Sequence, residues 1–312
     1  MMNSGQHPLI SVIIVSYNVK DFVCAGIESV KKYCTIPYEV IVIDNASVDG
    51  TEALIKSKYP DVTFIANKHN AGFSGANNQG FAIAKGEWLL MLNPDAELID
   101  ANITQAIDYL TKQDKPTLIG PKVENPDGSL QASAWKFQGV FAHLLEALFL
   151  NKLIDPLNYP LATYTSATEV DSISGACILM KKELVVKMGG LDENLFWMDD
   201  VDLCYRVKKE KGKSIYFPTW KVKHYVGESS KKNQSLVISN QIISKLKFYR
   251  KHRQYINFIL SILVFQLHIL LRILILLPLS IINTGLWRKC KAYLFTQKRF
   301  FQYLFLNKQS VA

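Results

Sequence analysis

Short apolar runs alternate with helix-length segments along the first part of this chain. The runs have the length and the β-branched or large apolar residues of buried strands: Leu9–Val15, Tyr38–Asp44, Val62–Ile65 and Trp88–Leu92. The intervening segments predict helices over 20–33, Thr51–Lys58 and Ser74–Lys85. This alternation favours an α/β fold with a mostly parallel central sheet and helices on both faces.

The pattern continues less regularly toward residue 224. Further predicted helices are Leu98–Leu110, Phe141–Leu150, Lys182–Met188 and Asp199–Lys211, and further predicted strands are Leu118–Val123, Ser172–Met180 and Ser214–Val222. Beyond Lys245 the composition becomes basic and apolar. We therefore expect an α/β domain over residues 1–240 and a helical tail over residues 241–312.

The chain has 312 residues and a formal net charge of +9, and much of the positive excess lies beyond residue 240. Charge of this size suits nucleic acid, an anionic membrane surface or a phosphorylated substrate. Nucleic-acid binding would explain the charge but not the acidic clusters described below, so we expect no nucleic acid partner. The share of hydrophobic residues, 49%, is high for a purely soluble enzyme.

The five cysteines are scattered and form no Cys-x-x-Cys pair, which argues against a zinc site or a disulfide framework and favours a reducing, cytosolic setting. The segment Met1–Pro8 is polar and lacks the layout of a secretory signal. We therefore expect the first domain to stay in the cytoplasm.

Four polar stretches follow predicted strands: Val15–Asn18, Asp44–Thr51, Asn70–Gly80 and Asn93–Asp95. In an open α/β sheet the carboxyl ends of the strands form the ligand-binding edge. The small residues of the third stretch would let backbone amides approach phosphate oxygens at a helix N-terminus. For Asp44–Thr51 a plain turn, with the next helix capped by Ser47 or Asp49, explains the residues equally well.

The stretch Asn93-Pro94-Asp95 ends a buried strand on a single carboxylate. One carboxylate at such an edge suits a Mg²⁺-type ion that keeps substrate oxygens as ligands, although a solvated Asx-Pro turn is the simpler interpretation. His224 ends the predicted strand Ser214–Val222. A lone histidine is more often structural, but its neutral imidazole could join Asp95 at a metal.

Three carboxylates, Asp199, Asp200 and Asp202, follow the apolar triplet 196–198. Acidic residues in a first helical turn are favourable through capping and the helix dipole alone. A carboxylate beside Phe196 and Trp197 would also lose solvent, and its raised pKa would make it a general base near neutral pH.

Together these segments resemble glycosyltransferase family 2, and most of all its bacterial rhamnosyltransferase-like branch, which builds cell-surface polysaccharides. The resemblance spans about residues 9–230, with the motifs in the family's order: Val12–Asn18, Val42–Thr51, Asn70–Ser74, Leu92–Asp95 and Asp199–Cys204. It implies a GT-A fold and an inverting transfer from a nucleoside-diphosphate sugar to a hydroxyl of a lipid-linked or cell-surface glycan.

The resemblance also implies roles for individual residues. Those expected to bind the nucleotide and donor are Ser16, Tyr17, Asp44, Gly72, Asn77 and Asn93. Asp95 is expected to coordinate Mg²⁺ or Mn²⁺, with His224 as a further ligand. Asp200 is the expected base, and Asp199 is the alternative. The rhamnosyltransferase branch suggests dTDP-rhamnose as the donor, with a UDP-sugar as the other candidate.

Two residues depart from the family's pattern. Asn93 stands where the metal motif commonly has an acidic residue, which implies weaker metal binding or binding through Asp95 alone. The pair Asp199-Asp200 stands where the family usually has Glu-Asp, which leaves open which of the two is the base.

The tail contains one long apolar stretch, Tyr255–Ile282, which is long enough to cross a bilayer. On a helical wheel its polar residues, with those just before it, form one narrow stripe, and Gln266 is the exception: Arg250, Gln254, Asn257, Ser261, His268 and Arg272. The stripe and the basic flanks favour an in-plane helix, or a shallow hairpin broken near Pro278, on an anionic membrane surface at the cytoplasmic face of the bacterial inner membrane. A buried amphipathic core helix is the alternative.

Two other functions remain open from the sequence. A sugar-nucleotide pyrophosphorylase would need a Gly-rich loop with Arg or Lys after the first strand, and Ser16-Tyr17-Asn18 is not such a loop. A membrane-bound nucleotide-sugar-binding protein with an impaired metal site would share the motifs but lack turnover.

Overall fold

The structure, a computed structural model, describes residues 8–154, 156–225, 234–281 and 283–306. Most of the Met1–Pro8 segment, on which the export prediction rests, and Ile282 lie outside these residues. The chain divides into two compact units. The first comprises Met1–Lys136, Asn158–Glu193 and Asp199–Ser229, and the second comprises Phe137–Leu157, Asn194–Met198 and Ser230–Ala312. The domain boundary at residue 240 stays a prediction.

A nine-stranded mixed sheet forms the centre of the first unit. The strands of this unit are β1 (Ile10–Ser16), β2 (Tyr38–Asp44), β3 (Thr63–Ala66), β4 (Trp88–Leu92), β5 (Ala96–Leu98), β6 (Thr117–Glu124), β7 (Ala134–Trp135), β8 (Thr168–Val170), β9 (Ser172–Ile173), β10 (Cys177–Lys181) and β11 (Lys213–His224). Their order in the large sheet is β3-β2-β1-β4-β10-β6-β11-β5, with β8 also on β11, while β7 and β9 pair separately.

Most strands of the large sheet run in one direction. β1, β2, β3, β4, β6 and β11 share it, whereas β5, β8 and β10 are antiparallel to their neighbours. The register pairs Ser16 with Asp44 and Ile14 with Leu92. The ends of β1, β2 and β4 therefore meet at one edge, and β11 ends at the same edge because it runs in the same direction.

Helices cover both faces of this sheet. Those of the first unit are α1 (Lys20–Tyr33), α2 (Thr51–Lys58), α3 (Gly72–Ile83), α4 (Ile103–Thr111), α6 (Lys182–Met188) and α7 (Asp199–Lys209). Val12 and Ile14 of β1 share a buried core with Val23 and Ile27 of α1. On the other face α3 approaches β1 so closely that a Cβ on Gly80 would lie 2.6 Å from Ile13 Cγ2. Glycine at this position lets α3 pack with its N-terminus near the ligand-binding edge.

Two sequence predictions need correction. The helix predicted over Leu98–Leu110 starts only at Ile103, because residues 96–98 form β5 and pair with the end of β11. The single strand predicted over Ser172–Met180 is two strands, β9 and β10, separated by residues 174–176. Both differences arise from pairing with distant strands, which the local pattern does not reveal.

The second unit is helical. It contains α5 (Val140–Ala147), α8 (Gln234–Lys251), α9 (Tyr255–Leu279), α10 (Thr284–Phe301) and a final π-helical turn (Gln302–Leu306). Its buried core consists of Ile242, Leu246, Phe265, Ile269 and Phe300. Among the described helices only α9 is long and apolar enough to cross a membrane, and 22% of its apolar window is buried. This exposure argues against the core-helix alternative.

The polar stripe of α9 faces other helices of the same unit. Ser261 is 0% exposed and His268 is 6% exposed. Arg272 donates hydrogen bonds to the carbonyl oxygens of Glu146 (2.8 Å) and Ala147 (3.0 Å), and so satisfies the C-terminal end of α5. Arg250 of the predicted stripe lies instead in α8, where it is exposed, and the exposed face of α9 is mostly apolar.

Candidate functional site

Four residues at the carboxyl edge of the sheet and on α3 each keep a buried polar atom without a hydrogen-bond partner. These atoms are Ser16 Oγ, Asp44 Oδ1, Asn77 Oδ1 and Asn93 Oδ1. A buried polar atom left unpaired costs about 1–3 kcal/mol unless water or a ligand satisfies it. Among the described residues five other side chains also keep such an atom: Ser133, Gln138, Tyr216, Trp220 and Ser261. The four at this edge all belong to the residues that the sequence predicts for donor binding, which makes this edge the candidate site.

The loop after β2 is tied to the loop after β1. Ser47 N–H donates to Asp44 Oδ2 (2.9 Å), and the Ser47 hydroxyl accepts from Asn18 N–H (2.8 Å). Asp49 accepts from the backbone amides of Lys20 (3.0 Å) and Thr51 (3.1 Å). The turn interpretation therefore holds, but the predicted cap does not: the N-cap of α2 is Gly50, without a side-chain cap, and among the described residues Ser47 makes no bond to the helix. In the same part of the chain Asp44 directs one oxygen to no protein partner.

The same two loops contain strained backbone. Ala46 has φ of +62° and Asn18 has φ of +55°, in the left-handed region that alanine rarely adopts. Strain of this kind costs about 1 kcal/mol or more and concentrates at functional sites. Tyr17 directly follows β1 and precedes Asn18. Its side chain is 39% exposed and so available to a ligand at the surface of the site.

Asn45 organises the start of α3, a role that the sequence analysis missed. Its Oδ1 accepts from Ala71 N–H (3.2 Å) and from Asn67 Nδ2 (3.0 Å), and its Nδ2 donates to the Gly72 carbonyl (3.1 Å). Gly72 has φ of +75°, which favours glycine. Asn45 thus fixes the glycine turn beside β2; its position directly after Asp44 was the only available signal.

The two candidate bases have different environments. Asp199 is buried, and its Oδ2 accepts from the Ser74 hydroxyl (3.1 Å). Burial, followed by the charge of Asp200, raises the pKa of Asp199 to about 7. Burial also raises the pKa of Asp200, but hydrogen bonds from the backbone amides of Gly175 and Val201 act in the opposite direction.

Asp200 is the more accessible carboxylate of the pair. It is partly exposed, whereas Asp199 is 9% exposed. Phe196 and Trp197 are the predicted cause of the raised carboxylate pKa, yet these side chains stay 55% and 40% exposed. Burial of the carboxylates is the main cause of both raised pKa values.

Asp202 has a structural role. It is fully buried and accepts from Arg206 Nε (2.7 Å), one turn further along α7. The Arg206 guanidinium also donates to the carbonyl oxygens of Met188 (2.6 Å) and Gly190 (2.8 Å). The third carboxylate of the cluster therefore anchors the chain after α6.

Asn93, Asp95 and His224 lie together at the end of β4 and β11. His224 Nε2 is 3.3 Å from Asp95 Oδ1 and 3.4 Å from Asn93 Nδ2. Within the described residues no cluster of three or more His, Cys, Asp or Glu side chains is arranged for metal binding. A cation at this position would thus have one carboxylate and one imidazole, with the unpartnered Asn93 Oδ1 as a neutral third donor. This oxygen-rich set fits Mg²⁺ or Mn²⁺ with substrate oxygens completing the shell.

The segment between β9 and β10 links the metal residues to the carboxylates. Asn93 N–H donates to the Ala176 carbonyl (2.9 Å), and Gly175 N–H donates to Asp200 Oδ2 (2.9 Å). A Cβ on Gly175 would lie 3.4 Å from that same oxygen. The strand prediction passed through this glycine, although a glycine inside a strand pattern often marks such a close approach.

Comparison with known proteins supports these assignments at the level of family and fold. The sequence profile of the family described as Glycosyl transferase family 2 matches residues 11–188, more than half of the chain. The N-acetylglucosaminyl-diphospho-decaprenol L-rhamnosyltransferase of Mycobacterium tuberculosis is 26% identical over 244 residues, which cover 71% of this chain and 78% of that protein.

A second relative matches a shorter part. The UDP-Glc:alpha-D-GlcNAc-diphosphoundecaprenol beta-1,3-glucosyltransferase WfaP of Escherichia coli is 33% identical over 103 residues, or 33% of this chain and 41% of that protein.

A solved structure is similar over nearly the whole chain. The mannosyltransferase PcManGT from Pyrobaculum calidifontis, in complex with GDP-Man and Mn²⁺, covers 97% of this chain and 89% of its own, with a TM-score of 0.59 and 14% identity. The predicted GT-A fold and family resemblance are confirmed. With its profile match over more than half of the sequence, the chain belongs to glycosyl transferase family 2.

Proposed function

We propose that the protein is an inverting, metal-dependent glycosyltransferase that moves a sugar from a nucleoside diphosphate to a hydroxyl of a lipid-linked glycan. One observation carries the proposal: the unpartnered polar atoms of Ser16, Asp44, Asn77 and Asn93 lie on β1, β2, α3 and the segment after β4, and hydrogen bonds link α3 and Asn93 to two carboxylates of raised pKa at the start of α7. The first feature suits a polar donor, and the second suits proton abstraction from an acceptor.

The donor binds along the carboxyl edge of β1, β2 and α3. Ser16 and Asp44 face the nucleoside, with Tyr17 available to cover it. The first turn of α3, held by Asn45 and Gly72, presents backbone amides toward the diphosphate, and Asn77 lies one turn further along. The name of the M. tuberculosis relative supports rhamnose, carried as dTDP-rhamnose, whereas the name of WfaP supports a UDP-sugar.

The metal site comprises Asp95 and His224, with Asn93 beside them. A bound Mg²⁺ or Mn²⁺ supplies a positive charge that offsets the charge developing on the departing diphosphate. The complex of PcManGT with GDP-Man and Mn²⁺ supports a divalent ion in a protein of this fold.

Asp200 accepts the proton of the acceptor hydroxyl. As the hydroxyl oxygen attacks the anomeric carbon from the face opposite the diphosphate, the bond to the diphosphate breaks and the configuration inverts. The amide of Gly175 holds Asp200 Oδ2 in place. Asp199, hydrogen-bonded to Ser74 at the start of α3, is the alternative base.

The acceptor is a sugar on a polyprenyl diphosphate. The names of both relatives describe acceptors of this chemistry, a GlcNAc-diphospho-decaprenol and a GlcNAc-diphosphoundecaprenol. Such acceptors reside in a membrane, so an enzyme acting on them at the cytoplasmic face needs a lipid-contacting surface.

The second unit supplies that surface. α9 leaves large apolar side chains exposed, including Ile256 (76%), Leu263 (66%) and Leu274 (70%), and so does the segment after α5, with Leu153 at 81%. These exposed positions suit the hydrocarbon boundary of a bilayer better than water.

Packing of α10 favours an in-plane arrangement over a span. The side-chain amides of Gln266 in α9 and Gln297 in α10 exchange hydrogen bonds of 3.0 and 3.2 Å, so the two helices form an antiparallel pair. A spanning α9 would carry Lys298 and Arg299 of α10, which lie next to Gln297 and so opposite the middle of α9, into the hydrocarbon, at about 2.5–3.5 kcal/mol for each charge at the bilayer centre. In the plane of the interface the exposed Lys298 can instead reach anionic lipid headgroups.

The base assignment predicts the effect of Asp200→Asn. We expect kcat to fall by about 10²–10⁴-fold, because the amide cannot accept the proton, while dTDP or UDP binding measured by calorimetry stays within about twofold. Full transfer by Asp200→Asn together with inactive Asp199→Asn would assign the base to Asp199. Nucleotide binding by the wild type without turnover of any donor in a panel would favour the binding-protein alternative.

The raised pKa of Asp199 predicts a pH-dependent stability. Between the ordinary aspartate pKa of about 4 and about 7, the folded state keeps a proton that the unfolded state has lost, so this group's contribution to stability falls as pH rises through that window. Asp199→Asn should remove the contribution. We expect the melting temperature of the variant, relative to wild type, to be higher at pH 8 than at pH 5. Asp108→Asn, an exposed position on α4, is the matched control, and equal pH profiles for Asp199→Asn and wild type would contradict the raised pKa.

The neutral Asn93 predicts a modest affinity for the metal. Asn93→Asp adds a second carboxylate, so we expect the Mn²⁺ concentration for half-maximal activity to fall by about tenfold, whereas Asp95→Asn should raise it by at least as much. If activity survives exhaustive chelation and neither variant changes the Mn²⁺ dependence, the metal assignment is wrong.

The lipid-contacting surface predicts a loss of vesicle binding in the double variant Leu263→Asp/Leu274→Asp. We expect partitioning of the full chain into phosphatidylglycerol-containing vesicles to fall more than about tenfold, because two leucines that contact lipid become charged. Val48→Asp, at a position 90% exposed in the first unit, is the matched control and should partition like wild type. Unchanged partitioning of the double variant would contradict the role of this face.

A further inference from the structure

His224 has a second partner that the sequence did not single out. Its Nδ1 is 2.8 Å from the side-chain oxygen Oε1 of Gln131, while its Nε2 faces Asp95 and Asn93. Gln131 follows β6 and is partly buried; its own backbone N–H donates to the Val123 carbonyl (2.9 Å), which fixes its position beside the end of β11. Nδ1 of His224 therefore faces the neutral amide of Gln131, whereas Nε2 faces the predicted metal site.

The orientation of the Gln131 amide is determined by its other contacts. Its Nε2 lies 2.7 Å from Asn125 Oδ1 and 3.2 Å from the backbone carbonyl of His224. A backbone carbonyl can only accept, so the amide nitrogen must point at it and the amide oxygen must point at Nδ1.

The side chain of Asn125 is itself oriented by the β-turn that follows β6. Asn125 Nδ2 donates to the Ser129 hydroxyl (2.9 Å), and that hydroxyl donates to Asp127 Oδ1 (2.6 Å). Donors and acceptors thus follow one direction from His224 through Gln131, Asn125 and Ser129 to a carboxylate that can only accept. A flipped Gln131 would break two of these bonds and place two donors or two acceptors together.

This direction fixes which ring nitrogen of His224 carries the proton. Because Gln131 presents an acceptor, Nδ1 carries the hydrogen, and in the neutral ring Nε2 holds a lone pair. That lone pair lies 3.4 Å from Asn93 Nδ2, which can donate to it, and 3.3 Å from Asp95 Oδ1, so two acceptors lie together beside Asn93. A divalent cation stabilises such a set of acceptors.

We propose that Gln131 is a positioning residue that holds His224 in the Nδ1-protonated tautomer, so that Nε2 can bind the divalent cation. The inference rests on the proposed metal site, and it adds a residue that would act on the metal only through His224. Removing the Gln131 acceptor would free the ring to adopt the other tautomer, in which Nε2 carries a hydrogen and cannot bind a metal.

The test uses Mn²⁺ alone as the probe of the full-length protein. We expect Gln131→Met, which keeps the size of the side chain but removes its amide, to weaken Mn²⁺ binding measured by electron paramagnetic resonance by about 10–100-fold. In ¹⁵N-histidine spectra, assigned with His224→Gln, the His224 signals should shift from Nδ1-protonated toward Nε2-protonated. Gln113→Met is the matched control, because Gln113 is also partly buried and its amide donates to a backbone carbonyl, of Tyr109.

The outcomes separate this inference from the proposed function. If His224→Ala weakens Mn²⁺ binding but Gln131→Met changes neither the affinity nor the tautomer, the role of Gln131 is overturned and the metal site stands. If neither His224→Ala nor Asp95→Ala weakens Mn²⁺ binding, the metal site itself is overturned, and the inference with it. Comparable melting temperatures of Gln131→Met and Gln113→Met would exclude misfolding as the cause of weakened binding.

Discussion

The parallel pairing of β1 with β2 on one side and β4 on the other is the constraint on which the site depends. It brings Ser16, Asp44 and Asn93, which are far apart in sequence, to adjacent positions at one edge. A shift of one residue in either register would turn the side chains of that strand to the opposite face. The close packing of Ile13 against Gly80 on one face of β1, and of the other face against α1, opposes such a shift, so packing of the core fixes the geometry of the polar edge.

The polar groups at this edge form a connected set of hydrogen bonds. Asn45 joins the loop after β2 to Gly72, Ser74 joins α3 to Asp199, and the segment around Gly175 joins Asp200 to Asn93. Most of these bonds have a backbone group as one partner. A side-chain substitution leaves that backbone group in place. The groups that stay unpaired are those that face the proposed donor. The set therefore combines rigid support with unpaired polar atoms, an arrangement that stabilises a bound ligand more than the free protein.

Local sequence patterns predicted the parts of this fold that depend on local rules. The strands β2 and β4 and the helices α1 and α2 have the predicted bounds, and β1 is shifted by one residue, because apolar periodicity and length determine these elements. The rule that parallel strands end at one edge then located most of the candidate site. By contrast, β5 depends on pairing with β11, and the break at Gly175 depends on the carboxylate of Asp200. Gln131 was missed for the same reason, since its partner His224 lies on a strand far along the chain. Its only local signal is a turn of Asn, Asp, Gly and Ser residues before it.

In the helical unit the polar stripe of α9 contacts other helices. The polar stripe of α9 is real, but an amphipathic helix can direct its polar side toward water or toward other polar helices. The Arg272 guanidinium donates to the carbonyl oxygens of Glu146 and Ala147 at the end of α5, where the helix dipole is negative. Its positive charge is stabilised there by backbone carbonyl oxygens, so this part of the stripe can face other helices of the unit. This arrangement leaves leucines and isoleucines of α9 exposed, and an apolar surface of that kind suits the proposed contact with a membrane. An arginine that would be costly within lipid thus makes its contact inside the unit and leaves the apolar side of the helix available for that proposed contact.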